Sequence, residues 1–210
     1  MKIAVFCSGN GSNLQALIDA ARPAAPDGES RNAEIALVVS DRPACRALER
    51  AASAGIPTFA FQPKDYDSKE DFERQIGERV DAAHCALIVL AGYMRILSPW
   101  FTNHYSGRII NIHPSLLPAF PGAHGISDAW KSGVKITGCT VHAVVNVVDA
   151  GPIIEQRAVR IEPSDTLETL EARIHAAEHQ LLPDVVRRIA IGEIGLPITG
   201  ARSSERKVAP

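Results

Sequence analysis

The chain has 210 residues, 46% hydrophobic and 22% charged, with a formal net charge of −2. That is enough apolar side chain for one domain with a sizeable core. A near-neutral balance without basic or acidic blocks argues against nucleic acid or an anionic membrane as partner. No apolar stretch approaches a membrane span. The opening "MKIAVFCSGNG" is too short in apolar residues for a signal peptide, so a cytoplasmic location is expected. Cys7, Cys45, Cys85 and Cys139 are scattered, without a CxxC or a Cys/His cluster. They read as reduced, mostly buried thiols rather than as a metal or disulfide framework, and no metal is expected.

Short apolar runs alternate with helical spacing. "KIAVFC" (2–7) predicts a strand and "NLQALIDAAR" (13–22) a helix, followed by a polar, turn-rich loop over 23–32. A second strand is predicted at 33–40, a helix at 43–55 ending on glycine, and a short strand at 56–61. The segment 68–84 opens with Ser68 and Asp71, a capping signal, and keeps an amphipathic period. "CALIVLAGY" (85–93) and "GRIINIH" (107–113) are apolar strands of the kind covered on both faces. Two β-rich runs within 134–161, split by "DAG", predict an antiparallel hairpin. A long helix over 164–193 should bend or break at Pro183. The expected fold is doubly wound α/β: a mostly parallel, Rossmann-like sheet with helices on both faces. One domain is expected over 1–193, with a partly disordered tail over 194–210. No repeat or heptad marks an interface, so monomer and homodimer both fit.

Ligands of such sheets collect at the carboxyl ends of the strands. There "CSGNGSN" (7–13) joins the first strand to its helix. Leu14 stands where a dinucleotide fingerprint needs its third glycine, and the lysine of a P-loop is missing. The loop suits a single terminal phosphate on Gly11, Ser12 and Asn13, or a glycine-asparagine turn that only caps a helix.

"NIHPSLLPAFPG" (111–122) leaves a later strand through three prolines. Asn111 and His113 are two apart and share one side of that strand. His113 is either a structural histidine or a group working beside Asn111 in the ligand zone. Asp149, before Ala150-Gly151-Pro152, is either a turn aspartate or a carboxylate that orients a histidine. With no GxSxG elbow, the three suggest acyl-type transfer without an enzyme nucleophile. Asn111 would donate to an oxyanion, His113 would donate a proton, and Asp149 would hold the imidazolium.

"SGNGSNLQALIDA", "LAGYMRILSPWF", "INIHPSLLPAFPG", "GCTVHAVVNVVDAGPII" and "AEHQLLP" occur in this order. Together they resemble the folate-dependent formyltransferases that act on glycinamide ribonucleotide, over residues 2 to about 190. The resemblance implies formyl transfer from 10-formyltetrahydrofolate to the glycinamide amine, in purine synthesis. It implies that Gly11, Ser12 and Asn13 hold the substrate phosphate, and that Asn111, His113 and Asp149 are the catalytic trio. His113 would be the proton donor, its pKa raised by Asp149. Met94, Arg95, Ile96 and Leu97 would contact the pterin, with Val145, Asn146, Val147, Val148 and Asp149 as the second folate-side loop. Asn111 would also touch folate. The phosphate side would fall in residues 1–100 and the folate side in 101–193, roughly.

Lys69 takes the place of a basic residue that contacts folate in some members. Glu178 takes that of a glutamate near the sugar or amide. His175 stands where glutamine or lysine is usual, and Gly125 where alanine is. "VVNVVD" carries fewer acidic groups than some members show. Taken alone, "YMRIL" reads as core with one snorkelling arginine, Glu178 as a solvated helix face, and Lys69 as a surface lysine.

Three other readings compete. A methionyl-tRNA formyltransferase should have a different opening loop and a further C-terminal domain. A formyltetrahydrofolate deformylase should carry an extra N-terminal domain. A non-catalytic nucleotide-binding module would leave the trio without a reason to converge.

Overall fold

A computed structural model describes residues 1–21 and 33–198. The polar loop over 23–32 and the end of the tail lie outside the described residues. The strands are β1 (Lys2–Phe6), β2 (Glu34–Ser40), β3 (Thr58–Ala60), β4 (Leu87–Leu90), β5 (Ile109–His113), β6 (Ile136–Ala143) and β7 (Ile153–Arg160). They form one seven-stranded sheet in the order β3-β2-β1-β4-β5-β6-β7. The first five run parallel, while β6 and β7 pair antiparallel.

Residue alternation decides which helices cover which face. Ile3, Val5, Leu87, Val89, Ile110 and Ile112 face one core. It is closed by α1 (Ser12–Ala21), α2 (Arg46–Ser53), α5 (Gly125–Ser132) and α6 (Leu167–Ala190). Ala4, Phe6, Ile88, Leu90 and Ile109 face the other, beneath α3 (Lys69–Ala82) and α4 (Pro99–His104). Two buried faces explain why β1 and β4 are apolar almost throughout. Among the described residues, no helix is long and apolar enough to cross a membrane.

The local signals account for several boundaries. Ser68 Oγ accepts from Asp71 N and caps α3. Thr166 and Thr169 close a reciprocal cap on α6. Of the expected bend or break at Pro183, the break is not made: α6 continues through the proline as one helix. Leu181, Leu182, Val185 and Val186 bury on both sides of the proline. Their packing offsets the lost hydrogen bond, which costs about 3 kcal/mol. Residues 194–198 pack on the core through Ile194, Leu196 and Ile198. The backbone N–H of Ile198 donates to Gly107 O at 2.7 Å.

The short helix α4 buries Phe101 between Phe6, at 6.0 Å between ring centroids, and Tyr105, at 4.8 Å. Phe101→Ala leaves a cavity there. It should cost about 3–5 kcal/mol, read as a lower midpoint of urea unfolding with an unchanged slope.

Candidate active site

The strand order reverses between the parallel neighbours β1 and β4, so the loops after these strands meet at the switch point. The two loops are hydrogen-bonded together. Ser8 N donates to Gly92 O at 3.0 Å, and Met94 N donates to Ser8 Oγ at 2.9 Å. One side of this junction is the glycine loop. The other is a cleft of about 370 Å³.

Asn111, His113 and Asp149 all line that cleft. β5 brings the first two, whose neighbours across the ladder are His142 and Thr140. Asp149 comes from the loop between β6 and β7. It sits at φ 54°, a left-handed conformation that aspartate tolerates. Two residues on, Gly151 lets the chain close: a Cβ there would stand 1.7 Å from the Ala143 carbonyl oxygen.

The Asp149 carboxylate is held on three sides. Gly122 N donates to Oδ2 at 2.7 Å. His113 Nδ1 lies 3.4 Å from Oδ2, and His142 Nε2 lies 3.5 Å from Oδ1. Burial pushes this carboxyl up. A hydrogen bond from His142, the Gly122 N–H and the charge of a His113 imidazolium beside it outweigh burial and bring it below the usual value.

His113 is buried. Its Nε2 lies 2.9 Å from the Phe120 carbonyl oxygen. A carbonyl and a carboxylate can only accept, so a ring carrying both protons satisfies both neighbours. Phe120 sits at φ 54°, a strained conformation for an aromatic residue. The departure at Gly125 lies against the same nitrogen: a Cβ there would be 3.1 Å from His113 Nε2.

The proline-rich loop is tied to the hairpin strands. Thr140 Oγ1 donates to Ser115 O at 2.6 Å, Leu117 N donates to Thr140 Oγ1 at 3.1 Å, and Gln156 Nε2 donates to Leu117 O at 2.9 Å.

His142 is the functional candidate that sequence reasoning missed. Its Nδ1 lies 2.9 Å from Ala143 O, and its Nε2 lies 3.1 Å from Asn111 Nδ2. When neutral it accepts from Asn111 at Nε2; when protonated it turns the same nitrogen on Asp149. Its spacing of two from Thr140 was a signal, but only the antiparallel register puts it opposite Asn111.

Met94, Arg95, Ile96, Leu97, Val145, Asn146, Val147 and Val148 line the outer cleft. The core reading of "YMRIL" holds for Tyr93 and Leu97. It fails for Met94 and Ile96, each 64% exposed. Arg95 lies over the Phe72 ring at 5.6 Å, and its buried Nε has no partner. Asn146 accepts from Thr102 Oγ1 and donates to Asn103 Oδ1, which fastens this loop to α4. Lys69, exposed in the first turn of α3, does not line the cleft.

On the other side, Gly11 lies at φ +71°, and Ser12 starts α1. Glu178 is not a solvated face residue. It is 3% exposed, and its Oε2 accepts from Asn13 Nδ2 at 3.1 Å, with His175 Nδ1 at 2.9 Å. The Glu178 partner raises the His175 pKa against the effect of burial.

The cysteines lie outside the cleft, and all four are buried and free. Burial pushes the Cys7 and Cys139 thiols up to about 12 and Cys85 up to about 11, which keeps them un-ionised. Among the described residues the cleft therefore brings amide, imidazole and carboxylate groups together with the hydroxyls of Tyr93 and Thr102 and the Arg95 guanidinium, and no serine or cysteine lines it.

An amide, an imidazole and a carboxylate meeting at the switch point of a doubly wound sheet suit acid–base group transfer. Residues 1–186 match the formyl transferase family, and the chain belongs to it. It is 47% identical over 188 residues to the phosphoribosylglycinamide formyltransferase of Bacillus subtilis, covering 90% of this chain and 94% of that protein. It is 48% identical over 193 residues to the trifunctional purine biosynthetic protein adenosine-3 of Drosophila pseudoobscura, covering 92% of this chain and 14% of that protein. Among solved structures it superposes on glycinamide ribonucleotide transformylase 1 of Symbiobacterium toebii with a TM-score of 0.87. There the identity is 42%, over 95% of this chain and 91% of that one.

The lowered Asp149 pKa has a sign. Stability from its ionised form is present above the unfolded-state pKa and is lost as pH falls through the lower folded value. Asp149→Asn should therefore destabilise most at pH 7, and the gap to the wild type should shrink below pH 3.8. Urea midpoints across that range measure it.

Proposed function

We propose that this chain transfers the formyl group of 10-formyltetrahydrofolate to the amine of glycinamide ribonucleotide, giving formylglycinamide ribonucleotide and tetrahydrofolate. The observation that carries this reading is the convergence of Asn111, His113 and Asp149 in a cleft whose described lining holds no serine or cysteine. An amine acceptor needs none, because it attacks the formyl carbon itself.

The outer cleft suits an aromatic heterocycle. Met94, Ile96, Val147 and Val148 each expose half or more of their surface there, and Arg95 and Asn146 supply polar edges. The folate supplies the formyl group. Asn111 donates to the oxygen on which negative charge develops. His113 donates the proton that the leaving nitrogen takes up, once its Nε2 lets go of the Phe120 carbonyl. That carbonyl is the weaker of its two partners, being uncharged. Asp149 keeps the imidazolium in place and, through water, accepts protons from the attacking amine. Lys69, outside the cleft lining, is a contact for the distal end of folate at most.

On the ribonucleotide side, the N–H groups of Gly11, Ser12 and Asn13 at the start of α1 seat the 5′-phosphate. Asn13 spends its side chain on Glu178, which faces the sugar and amide. His175 adds a donor whose charge depends on pH. Protonated below its raised pKa, it loses that charge as pH rises. The KM for ribonucleotide should increase with pH through neutrality in the wild type, and His175→Gln should flatten the rise.

The deciding assay mixes glycinamide ribonucleotide with a 10-formyl folate and follows folate absorbance. Turnover only with both present supports the transferase. Turnover without the ribonucleotide marks a deformylase-like hydrolase. Binding without turnover marks a nucleotide-binding module. His113→Ala should lower kcat by about 10² or more with ribonucleotide affinity retained, and an unchanged kcat removes His113 from the mechanism.

A further inference from the structure

α2 holds the glycine loop from behind. Ala47 N donates to Gly9 O at 3.1 Å. Arg50, one turn further along α2, donates from Nε to Asn10 O at 2.9 Å and from a terminal nitrogen to Asn10 Oδ1 at 3.3 Å. Its other terminal nitrogen donates to Gln15 Oε1 at 3.0 Å, in the first turns of α1. One guanidinium therefore clamps the loop to the helix that the loop starts. The approach is close: a Cβ on Gly11 would stand 2.7 Å from Ala47 Cβ.

Two consequences follow for an anion. A trans peptide points its N–H opposite to its C=O. With the carbonyls of Gly9 and Asn10 drawn toward α2, the N–H groups of Asn10 and Gly11 are turned to the other side, with the first N–H groups of α1. Arg50 also lacks a carboxylate partner among the described residues: its hydrogen-bond acceptors are uncharged oxygens, and no carboxylate forms an ion pair with it. A full positive charge thus sits directly behind the loop.

We propose that Arg50 is a positioning residue for the ribonucleotide phosphate, fixing the peptide planes of residues 9–11 and adding an uncompensated cation. This rests on the reading of Gly11, Ser12 and Asn13 as the phosphate seat. A planar fork is needed to hold three oxygens at once, and lysine offers a point charge in its place.

The test compares glycinamide ribonucleotide with its dephosphorylated ribonucleoside as acceptors for the full-length chain. Arg50→Gln should raise the KM for the ribonucleotide about tenfold, the scale of one charge-assisted hydrogen bond. It should leave the folate KM, the kcat and the ribonucleoside kcat/KM within about twofold, a margin below one neutral hydrogen bond. Arg50→Lys should recover part of the loss. Equal effects on both acceptors, or none on either, overturn the proposal. Ser12→Asp separates the underlying reading. If it leaves the ribonucleotide KM unchanged, the phosphate seat itself is wrong. If it raises that KM while Arg50→Gln does not, only the role of Arg50 falls. Should Arg50→Gln fail to fold, Gln15→Met removes one of its acceptors. That variant should raise the ribonucleotide KM alone by a few-fold, and an unchanged value overturns the clamp.

Discussion

The site depends on one buried carboxylate. Asp149 lies in the loop between β6 and β7 after a largely apolar stretch, yet it is the point where three segments are joined: the proline-rich loop through Gly122 N, β5 through His113, and β6 through His142. A desolvated carboxylate with fewer partners would be costly. The surrounding donors are therefore a condition for burying it, and burying it fixes where they stand. The left-handed backbone at Asp149 and the close pass of Gly151 under the Ala143 carbonyl follow from the same need to turn this side chain inward. His113 inherits its place from this arrangement. One ring nitrogen is drawn to the carboxylate, and the other is left to a carbonyl on a strained residue that can give it up.

What the sequence made legible was set by the range of the interactions. β1, β4 and β5 could be read because a strand buried on both faces must be apolar along its whole length. Ser68 and the glycine loop could be read because caps and turns act over three or four residues. α4 and α5 could not, with six and eight residues rich in aromatics, serine and glycine; their helicity comes from packing of Phe101, Ile126 and Ala129 rather than from propensity. Pro183 does not end α6 for the same reason, since tertiary burial overrode a local rule. In the site, Asn111 and His113 were linked by a spacing of two. His142 was joined to them only by strand register, and Glu178 is buried where α6 packs beside α1, its partner Asn13 lying 165 residues away in sequence.

Apolar exposure at the cleft has a physical reading of its own. Met94, Ile96, Val147 and Val148 come from two loops, yet they expose their surface around one cleft. Scattered singly they would mean little; collected around a cleft they mark a surface kept free for an apolar ligand. The loops bearing them are nonetheless anchored, one by Ser8 and the other by Thr102 and Asn103. Rigid backbone with exposed side chains lowers the ordering cost of binding, because little chain entropy remains to be lost when the ligand arrives.

The topology explains why two ligands could react here directly. At the switch point the β1 loop turns toward α1 and α2, while the β4 loop turns toward α4 and the hairpin. The two loops separate the hydrogen-bonded glycine loop from the apolar cleft while holding them side by side. Ser8 spans the divide, donating to one residue of the β4 loop and accepting from another. An anionic nucleotide and an aromatic donor want opposite surroundings, and neither could displace the other from its own side. Their reactive ends can then meet only at the seam, where the strand ends deliver Asn111 and His113. A protein built this way gains rate chiefly by holding two reactants in contact, and needs only a proton donor, an amide and a carboxylate at the place of contact.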